Sequence, residues 1–173
     1  RPAGGRSGQQ LVSDAQLRYA MDFADAQSTL SKGEKDWAVL YNVDTPSTNE
    51  FAWVYQEREF YMLRFYQGRC YFIERRVEAP LADIEGVFKY YPGLLGETPE
   101  GTMSRDQSLW YSHWMLKDRD VELTAAVREG DSYLLTYQEF DPLVLGEALR
   151  VQESELASQP SEVDPITGKP RPS

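Results

Sequence analysis

From Phe51 to Val77 the chain leaves little choice of backbone. Phe51, Trp53 and Tyr55 recur at every second position, a polar break follows at "QERE", and "FYMLRFYQGRCYFIERRV" then runs through two further β-prone segments around a Gln67-Gly68 dipeptide. A period of two with aromatic and β-branched residues fits a half-buried strand and no helix. A two-residue link with glycine second is a hairpin turn, which sets the register. With Tyr66 opposite Arg69, Phe65 faces Cys70, Leu63 faces Phe72 and Tyr61 faces Glu74. One side is then Tyr61, Leu63, Phe65, Cys70 and Phe72, a core face. The other carries Phe60, Met62, Arg64, Tyr66, Arg69, Tyr71, Ile73 and Arg75.

The second side raises the functional question. Arginine stems and tyrosine rings lying flat on one another are a common finish for a solvated sheet face. The same residue types are enriched in the cores of protein interfaces. Met62, Arg64, Tyr66, Arg69, Tyr71, Ile73 and Arg75 are therefore the candidate protein-binding residues. Nucleic acid is not an expected partner: the chain has 28 Asp+Glu against 18 Lys+Arg, a field that repels phosphate, and Glu57, Glu59, Glu74 and Glu78 dilute the charge of the hairpin itself.

Other segments supply the remaining elements. "LVSDAQLRYAMDFADAQSTLSKG" reads as a helix capped by Ser13 and closed at Gly33, with Tyr19, Phe23, Ala26 and Leu30 on one face. "DWAVLYNV" alternates as a strand. "APLADIEGVFKYYPG" is a helix with Pro80 near its first turn and a stop at Pro92-Gly93. "LLGETPEGTMSRDQ" reads as a long loop. "SLWYSHWMLK", "DVELTAAVRE" and "SYLLTYQEF" are strands, the last two joined at Gly130-Asp131, and a short helix from about Leu143 to Leu156 follows Asp141-Pro142. Helix, strands, helix, strands, helix is the order of an α+β fold, an antiparallel or mixed sheet of six to seven strands with helices packed on one face. The expected organisation is a flexible segment 1–10, one domain over 11–157 and a proline-rich tail over 158–173.

Chemistry is sparse. A single cysteine, Cys70, excludes an internal disulfide or a multi-cysteine metal centre. His113 is the only histidine, so a Cys70/His113 nucleophile and base pair is the one covalent possibility, and it competes with a packing role for both. "DRDVELTAAVRE" imitates a calcium loop, but Leu123 stands where the turn requires glycine. No catalytic residue, cofactor or metal is assigned. Trp37, Trp53, Trp110 and Trp114 either complete a core or line an apolar ligand cavity. No run reaches the length of a membrane span, which leaves peripheral membrane association open. The Gly/Ser/Gln-rich start resembles the segment after a removed signal peptide or anchor, which favours an extracytoplasmic setting.

The hairpin "YMLRFYQGRCYFIERRV", the helix "LADIEGVFKYYPGLLGETP" and the strands "SLWYSHWMLKDRDVELTAAV" and "SYLLTYQEFDPL" together resemble, over about half the chain, small α+β domains of bacterial envelope proteins and lipoproteins of the outer-membrane assembly accessory and β-lactamase-inhibitor-protein type. The resemblance implies a non-catalytic protein-binding or assembly role, and transfers no functional residue.

Overall fold

The computed structural model describes residues 18–32, 37–55, 58–98, 100–103 and 108–159. The expected segment 1–10, the Ser13 cap, Gly33 and the tail from 160 onward lie outside the described residues. The elements are α1 (Phe23–Lys32), β1 (Trp37–Asp44), β2 (Thr48–Tyr55), β3 (Glu59–Tyr66), β4 (Arg69–Pro80), α2 (Leu81–Leu95), β5 (Glu100–Met103), β6 (Leu109–Met115), β7 (Asp120–Glu129), β8 (Ser132–Phe140) and α3 (Pro142–Ala157). All eight strands form one antiparallel sheet in the order β1-β2-β3-β4-β8-β7-β6-β5. The fold is α+β, as the element order implies. It has one strand beyond the expected count, because β5 forms inside the segment read as loop.

The order has an internal logic. Each half is a helix followed by a four-stranded meander, and the halves meet where β4 pairs antiparallel with β8. Two such units are related by a half turn about an axis normal to the sheet. α1 packs its Ala26 and Phe23 on Trp53, Leu63 and Phe65 of the first meander. α2 packs Ile84, Val87 and Tyr91 on Trp114, Leu123 and Leu135 of the second. A half turn of this kind keeps both helices on the same face.

α3 breaks this symmetry, and with it the expectation that every helix packs on one face. It lies on the opposite face, with Ala148, Val144 and Leu145 against Ala52, Met62, Tyr71 and Phe72. Asp141 caps it, its carboxylate accepting from the Leu143 and Val144 amides at 3.0 and 3.2 Å, and Pro142 suits a position whose N–H would be unsatisfied. Its 16 residues span about 24 Å at 1.5 Å per residue, or roughly five strand spacings. That length carries it from the end of β8 across β4 and β3 to the β1–β2 turn. There the Glu155 carboxylate accepts from Thr45 Oγ1 (2.7 Å), Ser47 N (3.0 Å) and Ser47 Oγ (2.8 Å).

Two helix boundaries differ from expectation. Residues 18–22 are not helical: Ala20 N–H donates to the Cys70 carbonyl (3.0 Å), Cys70 N–H to the Met21 carbonyl (2.9 Å) and Phe23 N–H to the Gly68 carbonyl (2.8 Å). This segment pairs with the start of β4, and α1 begins only at Phe23. α2 runs through Pro92 to Leu95 instead of stopping there. Pro92 falls in the last turn, where its ring removes a single bond. The Gly96 N–H then closes on the Pro92 carbonyl at 2.9 Å.

Candidate functional site

The Gln67-Gly68 turn forms with both φ angles positive, 51° and 80°, and Tyr66 pairs with Arg69 and Phe65 with Cys70 as expected. Beyond that the register departs from simple alternation. A bulge leaves Tyr71 without a partner on β3, so that Arg64 pairs with Phe72, Leu63 with Ile73 and Tyr61 with Arg75. One extra residue reverses the facing of everything that follows it. Ile73 and Arg75 therefore lie on the face covered by α1 and α2, both 4% exposed, with the Arg75 guanidinium 4.8 Å over the Tyr61 ring. Phe72 moves to the face of α3.

The seven candidate residues are thus dispersed. Met62 and Tyr71 are buried beneath α3. Arg64 pairs with Glu50 and lies 4.7 Å over Phe72. The Tyr66 hydroxyl reaches Glu147 of α3 at 3.4 Å. Tyr66, the exposed Arg69 and Tyr71 do meet, around a cleft of about 310 Å³ completed by Tyr19, Cys70, Asp118 and Asp141. Of the seven, Met62, Tyr66 and Tyr71 lie against α3 of the same chain, whereas Ile73 and Arg75 are buried on the opposite face.

The nucleophile and base pair does not assemble. Cys70 sits in the cluster under α1, its thiol donating to the Phe72 carbonyl at 3.4 Å, and burial pushes its pKa up to about 12. His113 is on the other face, 3.1 Å from the Asp120 carboxylate. The tryptophans do not share a cavity either. Trp53 stacks on Tyr61 at 5.2 Å in the first-half core, whereas Trp110 and Trp114 pack in the second. The Trp37 side chain lies outside the described residues.

What remains accessible is the second half of the face that carries α3. Four rows cross it, one of them the polar row of His113, Glu122, Gln138 and Glu74. Met115 and Asp120 continue the row of Phe140 and Phe72. Tyr111, Thr124 and Thr136 lead to Arg76 and Phe60. Leu109, Ala126 and Leu134 lead to Glu78. Thr124, Ala126 and Thr136 are short side chains on the central strands, and larger groups stand to either side. Leu109 is 43% and Met115 65% exposed.

Toward β3 the floor deepens into a hollow of about 460 Å³ lined by Arg58, Phe60, Arg76, Val77, Glu78, Arg128 and Leu134. Arg76 stacks 4.8 Å over Phe60 and bonds Glu74 at 2.8 Å. Glu74, itself buried, also accepts from Gln138. Arg128 stands 3.7 Å from Glu78 at the rim. Three guanidinium groups meet one carboxylate in this lining, on a chain of net charge -10. Plain alternation from the Gln67-Gly68 turn sets Phe60 opposite Arg75; the bulge at Tyr71 is what brings Arg76 opposite it.

Among the described residues no helix is long and apolar enough to cross a membrane. No family model, curated protein or solved structure matches the chain.

Proposed function

We propose that the chain is a non-catalytic protein-binding or assembly module, an extrinsic subunit of a larger complex, and that it docks through the open half of the sheet. The observation that carries this reading is the asymmetry of coverage. α3 covers β2 to β4 on its face, while β8, β7 and β6 present Leu109, Tyr111, Leu134 and Met115 to solvent on the same face. Exposed apolar groups around short polar ones, with arginines and tyrosine at the border, make up the composition of a transient interface. The hairpin patch supports the same reading indirectly, since residues of that kind already hold a helix in the first half.

The test is photo-crosslinking. p-Benzoylphenylalanine is placed at Leu109 or Thr124, with exposed Lys89 on α2 as the control, and the full chain is irradiated in extracts of its native source. A defined protein adduct from the two sheet positions and none from Lys89 is the expected result. Equal yields from all three sites, or none from the sheet, would sink the proposal.

A further inference from the structure

The internal half turn also specifies what fits the open face. Rotation about the axis between β4 and β8 carries β2, β3 and β4 onto β6, β7 and β8. The seat of α3, at the end of the first meander beside the Gln67-Gly68 turn, is carried to the end of the second beside the Gly130-Asp131 turn. That second seat is the row Leu109, Ala126 and Leu134, with Phe60 and the hollow at its inner end. Among the described residues no helix of this chain lies on it.

We infer that this second seat receives an amphipathic, acidic helix from a partner protein, in the manner in which the first seat receives α3. The inference rests on the binding role proposed above and names the occupant. Two observations carry it. The first is geometric: the same sheet, with the same twist, already accepts a helix of four turns at the related position, and the second seat offers a strip of leucine and alanine for its apolar stripe. The second is electrostatic. α3 carries Glu147, Glu153 and Glu155 against Arg150, and the first seat meets it with hydroxyl and amide donors from Tyr66, Thr45 and Ser47. The second seat has Arg58, Arg76 and Arg128 at its border against Glu78 and the Glu74 that bonds Arg76, a cationic excess of one that favours an acidic helix over a neutral or basic one. A second copy of this chain is the weaker occupant, because two chains of net charge -10 repel before they meet.

The probe is a synthetic peptide of the sequence Pro142 to Ala157, a helix already matched to a seat of this sheet, titrated into the full 15N-labelled chain. Expected amide shift changes fall on Arg76, Leu109, Ala126 and Leu134. Affinity should drop about threefold, the size of an exposed ion pair, for a peptide with its glutamates changed to glutamine, and likewise for the chain carrying Arg76→Glu or Arg128→Glu. Three results overturn the inference: changes confined to Met62 and Tyr71, which mean exchange with α3; equal binding of both peptides; or no change at all. The crosslinking adduct separates this failure from that of the binding role. An adduct from Leu109 to a non-helical or basic segment retires the helix and keeps the role, whereas failure of the adduct itself retires both.

Discussion

The Arg64 guanidinium lies 4.7 Å over the ring of Phe72 while its Nε bonds the carboxylate of Glu50, which is only 8% exposed. The contact exists because Tyr71 bulges out of the β3–β4 ladder and brings Phe72 opposite Arg64. Removing the guanidinium leaves a largely buried carboxylate without its cation. Arg64→Ala should therefore cost about 2 to 3 kcal/mol, more than an exposed pair. Adding Glu50→Gln should recover part of the loss. Urea unfolding of the two single variants and the double variant measures this, and a cost below that of an exposed pair would contradict it.

Tyr71 offers the opposite case. Its hydroxyl is buried with no protein hydrogen-bond partner among the described residues, and burial raises its pKa to about 12. Tyr71→Phe removes a desolvated donor and keeps the ring, so stability should hold or rise by about 1 kcal/mol. A clear drop in Tm would show that the hydroxyl has a partner, such as an ordered water.

The outer end of α3 should loosen in acid. Hydrogen bonds from Thr45 and Ser47 hold the pKa of Glu155 below the ordinary carboxylate value. The folded state thus binds its proton less readily than the unfolded chain. The contribution is present above about pH 4.3, the unfolded glutamate value, and disappears as pH falls through the lower folded value. Amide exchange at Ser47 and along the last turn of α3 should accelerate over that range in the native chain, and much less in Glu155→Gln.

Cys70 should react slowly with a thiol reagent at neutral pH, at a rate set by opening of the α1 cluster, and rapidly in denaturant. Its raised pKa has a second consequence. Above about pH 8.5 the thiol ionises in the unfolded chain while it stays neutral in the folded one. Stability should therefore begin to fall as pH rises from there, and Cys70→Ala should flatten the profile up to about pH 10, above which the raised pKa values of Tyr19 and Tyr71 contribute as well.

Substitutions on the open face should separate binding from folding. Leu109→Ser and Thr124→Arg change side chains that no helix of the described chain covers, so unfolding free energies should stay within about 0.5 kcal/mol of the parent. Loss of the crosslinked partner with an unchanged Tm is the expected pair of results.

Local signals were legible where one residue type had one physical consequence. Gln67-Gly68 and Gly130-Asp131 made turns, Asp141-Pro142 started a helix, and the alternation of Val121, Leu123 and Ala125 made a strand. What failed depended on distant partners. Nothing near Tyr71 announces a bulge, since the residue is as good a strand former as its neighbours, yet the bulge reassigned Ile73, Arg75 and Phe72 to new faces. The segment 18–22 has helical periodicity but is captured by the hairpin edge. β5 forms against β6 from a run containing glycine and threonine that carries no strand signal of its own. The narrow stripe of Val144, Leu145 and Ala148 could not tell which side of the sheet α3 would take. The candidate site inherited these errors, because it was drawn on an unbulged hairpin without its covering helix.

The join between β4 and β8 also sets how the chain can fold. Every other pairing in the sheet links strands adjacent in sequence, so each meander can form by closing short loops. Among the strand pairings the β4–β8 seam alone brings together residues far apart along the chain, such as Phe72 and Phe140, and its closure must wait until both meanders exist. A loss of packing at this seam, as in Phe140→Ala, would then fall mainly on the rate of folding, whereas a comparable loss in either outer hairpin would fall mainly on the rate of unfolding.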